Sequence, residues 1–198
     1  LPNWCENKLV VSVTTGTDES KRQLDEFIET AAGFDRFGSF TILDFDAFVP
    51  YPKPYAMLDR LCDAYGELYG KAQKLAETLP EKERKELLDG IKSPWEYKDG
   101  FNLGGYEWCI SNWGTKWNAS DAVVDYDELT ARYDFLTAWS PPSPVVLAMS
   151  EKFPLLYFEL DYMEPGVAFK GRFACRNGTV LTDDCWDMTP EDFEELEG

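Results

Sequence analysis

The stretch Ser143–Tyr162, SPVVLAMSEKFPLLYFELDY, decides the fold. In its first half Val145, Val146, Ala148, Met149 and Phe153 follow helical spacing, with Ser143 placed to cap the helix and Pro144 to open it. From Leu155 the period drops to two. Phe158, Leu160 and Tyr162 alternate with Tyr157, Glu159 and Asp161, the pattern of a half-buried strand. A helix that feeds directly into such a strand is half of a helix-on-sheet unit. Downstream, Gly166 turns the chain, Val167–Ala174 pairs back, and Asn177-Gly178 makes a two-residue hairpin turn into Thr179-Val180-Leu181. Thr189-Pro190-Glu191-Asp192 then opens a short acidic helix with Phe193 and Leu196.

Upstream, Lys8–Val13 (KLVVSV) reads as the first strand. Leu24, Phe27, Ile28 and Ala31 place a helix over about 20–32, capped by Asp18 or Ser20 and ended by Gly33 and Gly38. Phe40–Val49 (FTILDFDAFV) returns to strand character with imperfect alternation, which predicts a bulge or an early end, and Pro50, Pro52 and Pro54 break it. Residues 55–92 change character and read as a helical hairpin. Leu58, Leu61, Tyr65, Leu68, Ala72, Leu75 and Leu79 step alternately by three and four, the spacing of a coiled-coil seam. The ordinary reading of that stripe is packing of the hairpin on the body; the sharper one is a dimer seam. Thr78-Leu79-Pro80-Glu81 fits a capping box at the start of the second helix, and Gly90 ends it. From Trp95 the chain is aromatic and turn-rich, with strands expected at Trp108–Ile110, Ala122–Tyr126 and Tyr133–Trp139. The order strand, helix, strand, insertion, strands, helix, strand describes an α+β sandwich of the split β-α-β type. It is read as a single domain over 1–198, with a helical insertion at 53–103 and an added C-terminal β-hairpin.

Composition narrows the function classes. The 198 residues hold 19 Lys and Arg against 37 Asp and Glu, a formal charge of −18 with no histidine. At 44% hydrophobic and 15% aromatic residues, the charge belongs to a folded body and not to a disordered acidic chain. Direct nucleic-acid binding is disfavoured, because phosphates need a cationic face. Without histidine there is no Ser-His-Asp or Cys-His nucleophile and no His-containing zinc site. Cys5, Cys62, Cys109, Cys175 and Cys185 are odd in number, scattered and free of a CxxC, which predicts reduced thiols, mostly buried. No run approaches the ~20 apolar residues of a membrane span. The N-terminal text has no basic segment followed by an apolar core, so no membrane partner and a cytoplasmic location are expected.

Three stretches carry a resemblance: Pro2–Leu9 (PNWCENKL), Trp108–Ala119 (WCISNWGTKWNA) and Ala138–Val145 (AWSPPSPV). Phe158–Tyr162 with Glu164, Gly166, Phe169 and Gly171 continues it. Together they resemble the YubB-like ferredoxin-like family of phage- and plasmid-encoded proteins, over most of the chain outside 53–103. The resemblance implies a ferredoxin-like α+β fold and brings no catalytic residues. The ferredoxin name describes topology, since the spaced cysteines of an iron–sulfur cluster are absent.

Two features compete as a binding site. Trp113, Lys116 and Trp117, with Trp4, Trp108 and Trp139, offer an aromatic surface for a ligand or protein; alternatively they fill the core around an irregular loop. The tail from Asp183, with Glu191, Asp192, Glu194 and Glu195, offers a surface that imitates a phosphate backbone; alternatively it serves solubility. The carboxylate pairs Asp44/Asp46, Asp125/Asp127, Glu159/Asp161 and Asp183/Asp184 suit a divalent cation only if they converge, and otherwise form solvated faces. The reading that follows is a non-enzymatic mobile-element protein that binds a basic host protein, with a DNA-mimic, anti-defence inhibitor as its most specific form. No cofactor, metal or catalytic residue is expected, and the oligomeric state is open. The alternatives are an accessory protein using the aromatic surface and a metal-dependent hydrolase using paired carboxylates. An RNA-binding module is opposed by the charge and by the absence of an aromatic RNA-stacking motif.

Overall fold

The computed structural model describes residues 3–35, 38–91 and 98–197, without the side chains of 195–197. The chain divides into two compact units, residues 1–50 with 108–198, and residues 51–107.

The first unit is built on a six-stranded antiparallel sheet. Its strands are β1 (Trp4–Val13), β4 (Ser120–Tyr126), β5 (Thr130–Ala138), β6 (Leu156–Glu164), β7 (Phe169–Arg176) and β8 (Thr179–Asp187), in spatial order β4-β5-β1-β6-β7-β8. The first four positions, taken with helices α1 (Asp18–Ala31) and α5 (Ser143–Lys152), make two β-α-β units whose strands interleave. This is the ferredoxin-like α+β fold, extended past β6 by the β7–β8 hairpin. Alternation decides which side chains meet the helices. Cys5, Asn7, Leu9 and Val11 of β1 and Leu156, Phe158, Leu160 and Tyr162 of β6 are buried, while Glu6, Lys8, Glu159 and Asp161 take the other face. Phe27 of α1 sits at the centre of the core, with the rings of Phe48, Tyr133, Phe153 and Phe158 at 5.4–5.9 Å. Each such buried ring contributes roughly 1.5–3 kcal/mol.

Several local expectations change. The second strand of the first β-α-β unit is β4, not Phe40–Val49. Only Phe40–Thr41 is extended, as β3, and it pairs with β2 (Gly33–Phe34) in a separate ribbon. Phe45–Ala47 is instead a 3-10 turn, because the Asp44 side chain accepts from the Asp46 amide and the Asn118 carboxamide oxygen accepts from the Phe45 amide at 2.8 Å. Trp108–Ile110 is helical, inside α4 (Gly105–Asn112). Thr17, not Asp18 or Ser20, caps α1 by accepting from the Ser20 amide. Ser143 is the first residue of α5 and makes no capping bond. Asn177 and Gly178 both have positive φ (47° and 69°), which is the primed turn their sequence calls for.

The second unit holds α2 (Lys53–Glu77), α3 (Glu81–Asp89) and a 3-10 turn at Phe101–Leu103. The second helix starts where the sequence places it, but without the capping box: the Thr78 hydroxyl donates back to the Leu75 carbonyl at 2.7 Å. One face of α2 is held within the unit. The Asp59 carboxylate accepts from the Phe101 amide at 2.8 Å, and Gly100 is glycine because any Cβ would run into the Tyr55 backbone. Within this unit the second row of the stripe is not covered: Leu61, Leu68 and Leu75 are 62%, 60% and 56% exposed. The stretch opening at Trp95 begins outside the described residues.

Candidate functional site

The Trp-rich motif is a structural corner. Gly114 ends α4 in the left-handed region (φ 85°), its amide donating to the Cys109 and Ile110 carbonyls. A side chain there would run into Pro144. Around it, the Ser140 hydroxyl donates to the Gly114 carbonyl (2.6 Å) and the Thr115 hydroxyl to the Ala138 carbonyl (2.9 Å). Trp113 is 2% exposed; its indole N–H donates to the Val49 carbonyl at 2.8 Å and its ring meets Trp108 and Phe45 edge-on. It therefore belongs to the core and offers no gripping surface. Trp117 is half-buried, carries the Lys116 ammonium 4.5 Å from its ring centre and lies 6.3 Å from the Trp4 ring. The Trp139 amide donates to the Asn3 carbonyl. The three stretches that carry the sequence resemblance thus meet at one corner of the sheet.

Asn118 completes the corner. Its carboxamide N–H donates to Asp44 at 2.6 Å, and its oxygen accepts from the Phe45 and Ala119 amides. Burial pushes the Asp44 carboxyl up from its ordinary value, while the hydrogen bonds from Asn118 and Asp46 pull it down. Beside it Asp35, Asp46, Trp113, Trp117, Asn118, Ala119 and Ser120 line a pocket of about 230 Å³.

The acidic tail takes a different place. β8 is an outer strand of the sheet, and every residue in it except Thr182 is exposed. Asp183, Asp184 and Asp187 lie along it, and Glu191 and Glu194 extend the run onto α6 (Pro190–Glu197). No salt bridge neutralises these five among the described residues. Asp192 differs: Lys170 stands 2.5 Å away and the Thr189 amide and hydroxyl donate to it, which together lower its carboxyl below the usual range. The Asp192 carboxylate is thus a structural clasp between α6 and β7. The backbone of Glu195 lies in α6, and its side chain is outside the described residues.

Sequence reading did not find the charge ladder on the helix-free face of the sheet. Strand register sets Asp134, Lys8, Asp161, Arg172 and Asp184 side by side across β5, β1, β6, β7 and β8. Arg172 grips Asp161 with two bonds (2.6 and 2.8 Å) and reaches Glu159 at 3.9 Å. The Glu159/Asp161 pair is therefore spent on an arginine. Its signal was available in the alternation of β6 and in the pairing back of Val167–Ala174, but the register that sets Asp161 opposite Arg172 was not. Among the described residues no group of three or more Cys, Asp or Glu is arranged to hold a metal ion. All five cysteines are free; Cys5, Cys109 and Cys175 are buried, Cys62 is half-buried and Cys185 is exposed. Burial pushes the Cys5 and Cys175 thiols up to about 12 and about 11, away from nucleophilic thiolates. No described helix is long and apolar enough to cross a membrane.

Residues 112–198 match the model of a family described as a ferredoxin-like domain in Api92-like protein. Among solved structures, the crystal structure of a protein api92 from Yersinia pseudotuberculosis aligns with 96% of this chain and 99% of its own, at 13% identity and a TM-score of 0.44. No curated protein matches. The matched segment begins at Asn112 in the Trp-rich corner and runs through the sheet to the acidic helix, so over these residues the chain is similar to a ferredoxin-like domain of the Api92-like kind.

Proposed function

We propose that this chain is a non-enzymatic, cytoplasmic protein of a phage or plasmid that binds a basic host protein through the acidic edge formed by β8 and α6. A DNA-mimic inhibitor of a host defence protein is the most specific form of this reading. The observation that carries it is the run of exposed carboxylates Asp183, Asp184, Asp187, Glu191 and Glu194 on an outer strand and the helix that follows. Such a run attracts a cationic surface over distances of a Debye length, about 8 Å at physiological salt, and repels nucleic acid. The YubB-like resemblance supports the mobile-element origin. Trp117 and Lys116 flank the core corner and serve as a secondary contact. The hydrolase alternative has little to stand on, since Glu159 and Asp161 face Arg172 and the Asp44 side chain is tied to Asn118.

The test is competition. A fluorescent duplex DNA bound to an arginine- and lysine-rich DNA-binding peptide is titrated with the chain at physiological salt. Displacement is expected, and it should be lost when Asp183, Asp184, Asp187, Glu191 and Glu194 become Asn or Gln. Neutralising Asp18, Glu19, Asp25, Glu26 and Glu29 of α1 should leave it nearly intact. Equal loss in both variants would mean bulk charge without a site, and would overturn the proposal.

A further inference from the structure

The two outer strands of the sheet are built differently. β4 is interrupted: its register against β5 shifts between Ser120 and Val123, and Asp121 there has a left-handed φ of 51°. A kinked edge of this kind resists the addition of another strand. β8 has its one shift near the hairpin turn, between Ala174 and Cys175 of its partner. Beyond it, Thr182–Asp187 pairs residue for residue with Phe169–Ala174. Within this unit β8 pairs with β7 alone among the described residues, and α6 is clasped inward to Lys170 of β7 through Asp192. In an antiparallel ladder alternate residues of an outer strand turn their N–H and C=O groups away from the neighbour, so this regular run carries a row of open donors and acceptors. Its six residues hold three acids and no base. Asp183 and Asp187 share the face of Phe173 and Phe169, and Asp184 shares the other with Arg172. Arg172 is already held by Asp161, which leaves Asp184 without a printed salt bridge of its own.

We infer that β8 is an acceptor edge for strand addition, and that its occupant is an extended Lys- and Arg-rich segment of the partner, paired with Thr182–Asp187 as a seventh strand. Resting on the acidic edge as the recognition surface, strand addition gives the form in which the basic partner arrives. Backbone hydrogen bonds supply affinity that does not depend on charge, and the acids choose the occupant. Carboxylates stand on both faces of β8, so an added strand is matched by basic side chains on both of its faces. A second copy of this chain is disfavoured, because two β8 edges would set acid against acid. On the helix-free face the added side chains fall beside Thr182, Asp184 and Trp186. These three line a groove of about 660 Å³ together with Gly171 and Met163, and the exposed Trp186 ring offers a cation an aromatic face there.

The test separates backbone pairing from charge. A short labelled peptide of Lys, Arg, Val and Thr, with bases at both odd and even positions, is titrated with the full chain at physiological salt and read by fluorescence anisotropy. A second peptide has the same side chains and charge but carries esters in place of its central backbone amides, so that it lacks the donors a strand needs. The ester peptide should bind about tenfold more weakly or worse. Hydrogen exchange supplies an independent readout: the amide peptide should slow exchange within 182–187 and leave 120–126 unchanged. Equal affinity of the two peptides, or no slowing within 182–187, would overturn strand addition while leaving the acidic edge as a purely electrostatic surface. Failure of the amide peptide to bind at all would overturn the acidic-edge reading and strand addition with it.

Discussion

The unit containing the sheet and the helical hairpin solve the problem of surface charge in opposite ways. Residues 51–107 set nine bases against eleven acids, whereas the unit containing the sheet sets ten bases against twenty-six acids. The sheet unit tolerates that excess because its core is dense and its charges are organised. Phe27 is surrounded by four rings, and on the helix-free face acids alternate with Lys8 and Arg172. The hairpin has little core of its own, since only Asp59 and Ala76 of α2 and no residue of α3 are buried. One region closes an aromatic core and carries most of the acid; the other is close to neutral and keeps Leu61, Leu68 and Leu75 exposed. The lesson is that net charge alone does not describe this chain: the acid is partitioned between the two units.

The largest expected effect tests the difference in cores. Phe27→Ala should cost about 3–5 kcal/mol by urea unfolding, as a ring is removed from a closed aromatic cluster. The matching change in α2, Leu68→Ala, should cost under about 1 kcal/mol in the monomer, since that side chain is already in water. Equal costs would erase the contrast.

Asn118→Ala comes next, at about 2–3 kcal/mol, because it leaves the Phe45 amide without its acceptor and removes one of the two hydrogen bonds on the Asp44 carboxylate. A loss under about 0.5 kcal/mol in the same unfolding assay would show that the Trp-rich corner is not held by this residue.

A smaller effect of opposite sign belongs to the hairpin. Gly66 and Gly70 lie within α2, and a Cβ at either meets no atom within 4 Å. Gly66→Ala and Gly70→Ala should each raise stability by about 0.5–1 kcal/mol. Destabilisation by either would place a neighbour against that face of the helix.

The subtlest test is of pH. The Asp44 carboxyl is raised by burial, so the native state keeps this proton to higher pH than the unfolded chain. Its contribution to stability is full below the ordinary value of 3.8 and is lost as pH rises through the raised one. The stability of the wild type relative to Asp44→Asn should therefore improve as the pH falls from 7 toward 4. A difference that does not move with pH would contradict the burial argument.

What the sequence discloses divides along the line between local and distant causes. The alternation of β6 and the Asn177-Gly178 turn depend on neighbouring residues, and both form as read. Trp108–Ile110 is misread because a three-residue apolar run fits a strand or a buried helix equally, and its helix is closed by Gly114 and held against Pro144 from the next β-α corner. Phe40–Val49 fails for a similar reason: the amide of Phe45 is claimed by Asn118, far along the chain. The acidic text of the tail is plain in the sequence, but its place on an outer strand is a property of sheet order. Trp113 illustrates the reverse. Its prominence in the text is the prominence of a core residue.

The proposed recognition edge is tested most directly by the rate at which a labelled arginine- and lysine-rich peptide associates with the chain as ionic strength is raised. The account predicts a steep fall in the association rate with salt for the wild type. It predicts a much shallower fall when Asp183, Asp184, Asp187, Glu191 and Glu194 are neutralised, and a nearly wild-type slope when the five α1 carboxylates are neutralised instead. A wild-type rate that does not change with salt, or slopes that fall equally in the two variants, would contradict it.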